Sequence, residues 1–431
     1  MHAKTVTLSG EPPKTSLISW LPSTYITMGF PNAVVGGAAV VMFKNLGLPI
    51  SEIALYTSQL YLPWMLKPLW APLLEAFATK RFWVISMQLL IATALGAIAA
   101  SLALPEPVFA ALAFLWIMGF ASATHDVAVD GVFMAATSSR QQAKYAGFQG
   151  MCWNIGSVLA SGVLVTTSGW LHEKFSLSWV HAWMIMMVLS ASMVLLASMY
   201  HTVVVPADIP SPIKHLRPGQ RIAEAWISFA AKDKIVPMII FVFLYRVGEV
   251  LIDKIGPLFL LDSPSAGGLG LNNQVHGLLY GTLGTIAFIA GTFLASALVM
   301  KFTLRRTLVA LTLAMNIPHI TYLLLSKFDV TEIGVIATAV CIEKFGFGMG
   351  SVGQLLYMVQ QVAPGRYRMT HYAFATAIMA STHWVMGSLS GVLFDLCHRN
   401  YDLFFYAAFA ISLVPIAAVR FAPFPAASNV S

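Results

Sequence analysis

The segment Phe82-Trp-Val-Ile-Ser-Met-Gln-Leu-Leu-Ile-Ala-Thr-Ala-Leu-Gly-Ala-Ile-Ala-Ala-Ser-Leu-Ala-Leu104 carries no charge and a single amide. A helix needs about 20 apolar residues to cross a bilayer. This stretch exceeds that, and it is too long and too apolar for the core helix of a water-soluble protein. Segments of the same kind recur along the chain, which is 431 residues long, 58% hydrophobic and 10% charged. Twelve are readable, at 17–43, 51–77, 82–104, 107–136, 141–167, 178–204, 235–261, 272–300, 304–326, 331–362, 367–395 and 400–421. The expectation is an all-α protein whose main partner is the lipid bilayer.

The net charge of +7 raises the possibility of nucleic acid, and its distribution argues against it. With the N-terminus inside, the cytoplasmic segments hold Lys4, Lys14, Lys80, Arg81, Arg140, Lys144, Lys214, Arg217, Arg221, Lys232, Lys234, Lys301, Arg305, Arg306, Arg366, Arg368 and Arg420. The outside loops hold only Lys44, Lys174, Lys327 and Arg399. Such an excess follows the positive-inside rule and places both termini in the cytoplasm. Residues 1–16 lack the apolar core and cleavage site of a signal peptide, so the first span is expected to be retained. Cys152, Cys341 and Cys397 form no CxxC and no His-flanked cluster, which suggests neither a disulfide framework nor a metal site.

A polar stretch, 205–233, carries Pro206, Pro210, Pro212, Pro218 and Gly219 and separates six spans from six. The expected units are 1–204, a cytoplasmic linker at 205–233, and 234–431. Within the linker, Arg221–Phe229 reads as an amphipathic surface helix. The halves echo each other: Ser161-Gly-Val-Leu164 in the fifth span recurs as Ser390-Gly-Val-Leu393 in the eleventh. Two six-helix bundles joined by a long cytoplasmic linker describe the major facilitator fold, in which the solute sits near mid-membrane between the halves.

Ionisable residues inside the spans point to what the bundles do. Such a group costs roughly 2.5–3.5 kcal/mol at the bilayer centre and persists where it faces a cavity, pairs, or moves an ion. Asp126 and Asp130, four residues apart in span 4, share one helix face. Two carboxylates in a poorly solvated place repel, which makes one of them a candidate proton carrier. In span 7, Arg246, Glu249 and Asp253 follow spacings of three and four, with Lys254 beside them. Arg246 lies about 18 Å beyond Lys234 along the helix, at mid-membrane depth. Lys67 and the pair Glu343-Lys344 sit at similar depths. Lys67, Arg246, Glu343 and Asp253 are candidate solute-binding groups; Asp126, Glu249 and Asp130 are candidate proton-coupling groups. Glu75 with Lys80 and Arg81 reads as a cytoplasmic gate contact. Gly348-Met-Gly-Ser-Val-Gly353 matches a dinucleotide motif by letters, but it follows a membrane segment instead of a strand. No Walker A, HExxH or GxSxG pattern is present. No cofactor and no nucleotide-binding subunit are implied, and the driving force is expected to be the proton gradient.

Several of these motifs resemble one family. Gly29-Phe-Pro-Asn32, Leu66-Lys-Pro-Leu-Trp-Ala-Pro-Leu-Leu-Glu75, Ala123-Thr-His-Asp-Val-Ala-Val-Asp-Gly131 and Leu244-Tyr-Arg-Val-Gly-Glu249 are similar to the AmpG-type muropeptide permeases. These stand with acetyl-coenzyme A transporters in one branch of the major facilitator superfamily, and siderophore permeases of that branch also look similar. The resemblance implies a proton-linked importer of a large anionic or amphipathic solute in a bacterial inner membrane, with Lys67, Asp126 and Asp130 as matched positions. The family shows Gln-Asp at His125-Asp126, Asp at Glu75, and Lys and Asp at Arg246 and Glu249; the charges persist while the side-chain lengths change. A muropeptide, a siderophore and an acyl-coenzyme A remain open as the solute. A membrane enzyme would carry extended outside loops, and a sensor would carry a signalling domain; neither is readable here.

Overall fold

The computed structural model describes residues 16–71, 74, 78–137, 139–206, 218–328, 330–364 and 368–424. Among them there is no strand. Eleven helices among the described residues are long and apolar enough to cross a membrane: Leu17–Asn45, Lys80–Ser101, Pro107–Ala136, Phe148–Phe175, Trp179–Val204, Ile235–Leu261, Asn273–Phe302, Leu304–Lys327, Ile333–Val362, Thr370–Leu396 and Tyr401–Phe421. They correspond to spans 1 and 3–12 of the sequence reading. Their outer faces stay apolar: Val203 is 75% and Phe293 70% exposed. In a bilayer such side chains meet lipid, and the backbone is satisfied inside each helix.

Span 2 departs from the continuous helix expected at 51–77. It is built of Ile50–Gln59, a short helix at Leu62–Leu66 and a 3-10 turn at Lys67–Leu69. Pro63 and Pro68 account for the break, since each lacks the N–H that would bond one turn back and its ring clashes with the carbonyl there. From 50 to 69 the chain still covers about 30 Å at about 1.5 Å per residue, the thickness of the hydrocarbon core. Span 7 is also interrupted, between Ile235–Leu244 and Val247–Leu261, with Arg246 at φ −114°, ψ 10° in the joint.

The repeated Ser-Gly-Val-Leu motif marks the seam between the halves. A Cβ on Gly162 would lie 2.6 Å from Thr282 Oγ1 of span 8, and one on Gly391 would lie 2.7 Å from the Ser51 carbonyl oxygen of span 2. Both glycines allow close helix approach, at related positions of the two bundles. The linker helix, Pro218–Ala230, extends the one expected at Arg221–Phe229. It buries Ala225 and Phe229 against span 11, where Trp226 stacks on Phe374 at 4.2 Å.

Candidate functional site

A cavity of about 580 Å³ lies between the halves, within the range of small-molecule sites. The wall from the first half includes Asn32, Tyr61, Trp64, Lys67, Trp153 and Asn154. The opposite wall includes Arg246, Glu249, Asp253, Tyr280, Lys344 and His383. The break in span 2 turns Tyr61, Trp64 and Lys67, each three residues apart, toward this space. The joint in span 7 does the same for Arg246 and the first turn that follows it.

The two walls differ in charge. On the second-half wall, Arg246 Nε donates to Glu249 Oε2 at 2.9 Å, and its guanidinium stands 4.9 Å from the Phe347 ring centroid. Lys344 Nζ lies 3.4 Å from Glu343 Oε2 and 3.7 Å from Asp253 Oδ1. It donates to the Tyr280 hydroxyl at 2.8 Å, which in turn donates to Asp253 Oδ1 at 3.2 Å. Buried pairs of this kind lower the cost of burial without adding much net stability. Glu343 lies behind the wall, 1% exposed. Lys67, by contrast, makes no ion pair among the described residues.

Asp126 and Asp130 part company. Asp126 is 6% exposed, sits behind the wall, and accepts from Trp64 Nε1 at 2.8 Å; its Oδ1 has no partner among the described residues. The acid expected opposite Lys67 is thus held by an indole. Asp130 is exposed and accepts from the Tyr25 hydroxyl at 2.7 Å, with Gln149 Nε2 donating to the same hydroxyl at 2.6 Å. His125 turns away into a buried network, where its Nε2 lies 2.9 Å from Gln88 Nε2. Of the expected gate, Glu75 lies outside the described residues. Arg81 donates to the Thr202 carbonyl of span 6 in its own half, and the Lys80 stem packs by Gly131.

At the end of the molecule away from the linker, polar contacts join the halves. Lys44 Nζ meets Asp262 Oδ1 at 2.6 Å, and the Tyr401 hydroxyl donates to Asp262 Oδ2 at 3.0 Å. Asn273 Nδ2 donates to Asn45 Oδ1 at 2.7 Å. Nearer the middle, Gln59 Nε2 donates to Ser388 Oγ at 3.0 Å and Trp384 Nε1 to Gln59 Oε1 at 2.6 Å. The cavity is sealed at this end and runs toward the linker end as far as Met358 and Tyr372. The sequence reading missed this seal, and it missed Trp64, Trp153, Asn32 and Asn154. The available signal for Trp64 was its three-residue spacing from Lys67 in a proline-bounded segment.

The chain is 23% identical to the anhydromuropeptide permease of Escherichia coli (strain K12) over 378 residues, 84% of this chain and 71% of that protein. The fold is shared with solved transporters. A mutant form of the nucleoside transporter NupG superposes with a TM-score of 0.73 at 11% identity, covering 94% of this chain and 99% of that one. A D-xylose–proton symporter gives 0.70 at 13% identity, covering 94% and 96%. A bacterial homolog of the human lysosomal transporter Spinster, inward-facing and unoccupied, gives 0.68 at 15% identity, covering 94% of each. The sequence matches the Major Facilitator Superfamily over residues 23–423, and the chain, a multi-pass membrane protein, belongs to that family of transporters.

Proposed function

We propose that the protein imports a large anionic solute, a muropeptide in the first place, by proton-coupled alternating access across a bacterial inner membrane. Both termini lie in the cytoplasm in this reading, as the lysine and arginine distribution supports, so the cavity faces inward. The observation that carries it is the cavity between the halves, where Lys67, a cation with no ion pair among the described residues, faces a wall of mutually neutralised charges. Lys67 attracts a solute carboxylate. A second carboxylate competes for Arg246 or Lys344 and frees an acid, Glu249 or Asp253. Asp126 and Glu249 carry the proton, with Asp130 exposed toward the linker end. Glu75, Lys80 and Arg81 remain the proposed gate on the cytoplasmic side, opposite the seal at Lys44 and Asp262. The likeness to an anhydromuropeptide permease supports the solute, and so does the first-half wall. Its aromatic faces and amides suit a sugar, while the charged wall suits a peptide carboxylate.

Binding of labelled anhydromuropeptide to the purified protein tests this, with a ferric siderophore and an acyl-coenzyme A as competitors. The expected result is displacement by unlabelled anhydromuropeptide alone, and an affinity roughly tenfold weaker in Lys67→Met, equivalent to about 1.4 kcal/mol. Tighter binding of either competitor sinks the muropeptide assignment.

A further inference from the structure

Span 2 touches three things at once. Its short helix and following turn carry Tyr61, Trp64 and Lys67 onto the cavity surface. Trp64, 6% exposed, lies between the cavity and Asp126, which it reaches through its indole N–H. Tyr61 reaches the other half: its ring stacks on His383 with centroids 4.8 Å apart and planes at 16°, and Lys254 Nζ stands 4.9 Å from its centroid. Lys254 is 1% exposed and donates to Thr57 of span 2 at 3.4 Å.

The chemistry of the bond matters. An indole is a donor only, so a buried Trp64 depends on Asp126 as its acceptor. A bond to an ionised carboxylate is roughly twice as strong as one to a neutral acid. Ionised Asp126 therefore pins the indole, and a neutral Asp126 loosens it. Because Pro63 and Pro68 have already broken the helix, the segment that responds is only a few residues long. The charged and titratable groups facing Asp126 are Lys67 of span 2, Asp130 of its own helix and Tyr25 of span 1.

Resting on the proton-linked reading above, we propose that Trp64 is the positioning residue that passes the charge state of Asp126 to the solute site. Through Tyr61 it also passes that state to His383 and Lys254 of the second half. Span 2 is then the element that couples Asp126, which does not line the cavity, to the solute.

Two measurements decide it. The first needs no solute: the tryptophan fluorescence of wild type minus that of Trp64→Phe, followed against pH. A transition that disappears in an Asp126→Asn background is expected; one that survives there overturns the link. The second compares anhydromuropeptide affinity across a pH step of about two units. Wild type is expected to change roughly fivefold or more. Trp64→Phe keeps a ring without the N–H and is expected to change less than about twofold, as is Asp126→Asn, which also serves where Trp64→Phe fails to fold. A wild-type pH dependence that persists in Trp64→Phe overturns the inference alone. Wild-type binding with no pH dependence overturns the proton-linked reading and the inference with it.

Discussion

Arg246 and Glu249 show what a buried charge says at the scale of one residue. Glu249 is 1% exposed and its Oε1 has no partner among the described residues, so its burial depends on the guanidinium beside it. Removing one member of such a pair costs about 3–5 kcal/mol, whereas replacing both with apolar groups is often neutral. Arg246→Met is therefore expected to lower the unfolding temperature in detergent markedly, and Arg246→Met combined with Glu249→Leu to recover most of the loss. An additive double variant would mean that the pair does not hold the joint of span 7. These charges were legible because a charge in an apolar run is conspicuous whatever the fold. Their partners were not. Asp126 takes an indole instead of Lys67, and no spacing rule distinguishes a tryptophan that packs from one that donates to a buried acid. Asn32, Trp153 and Asn154 were silent for the same reason, since amides and aromatics are common on packed membrane helices.

Span 2 shows at the scale of an element how a mark in the sequence becomes a break in a helix. Its prolines were in plain view, and they explain why 51–77 does not form one helix. The joint of span 7 has no such mark: Tyr245 and Arg246 are ordinary helix residues, and nothing in the local sequence announces the interruption. Pro63→Ala restores an N–H and permits an unbroken helix through Trp64. The variant is expected to be at least as thermally stable as wild type, because Pro63 stands in the first turn of its short helix, where alanine, the better helix former, takes its place without losing a bond. Its transport is expected to fall about tenfold or more, since a misplacement of roughly 1 Å at such a site is costly. Proteoliposome uptake beside a melting curve checks both; full transport in a stable Pro63→Ala protein would show that the break is not needed.

At the scale of the whole molecule, six-plus-six organisation was readable from hydropathy, the linker and the Ser-Gly-Val-Leu repeat, because each is a local pattern. The seal was not. Lys44 and Asp262 each read as a charge at a helix end, and only the packing of the two bundles brings them to 2.6 Å. The pair is partly buried, with side chains 21% and 14% exposed, so its contribution is about 1 kcal/mol, roughly fivefold in the balance between sealed and open forms. Asp262→Asn is expected to shift that balance toward opening. Spin labels placed on the two halves at this end should report a larger long-distance population, and an unchanged distance distribution would remove the pair from the seal.

In the function proposed above, the cavity serves proton-linked import. Its most direct test is uptake of labelled anhydromuropeptide by proteoliposomes under an imposed inward proton gradient, with and without a protonophore. The expected result is accumulation above the external concentration that collapses with the protonophore and is absent in Asp126→Asn. Accumulation that the protonophore leaves intact, or that Asp126→Asn retains, would contradict it.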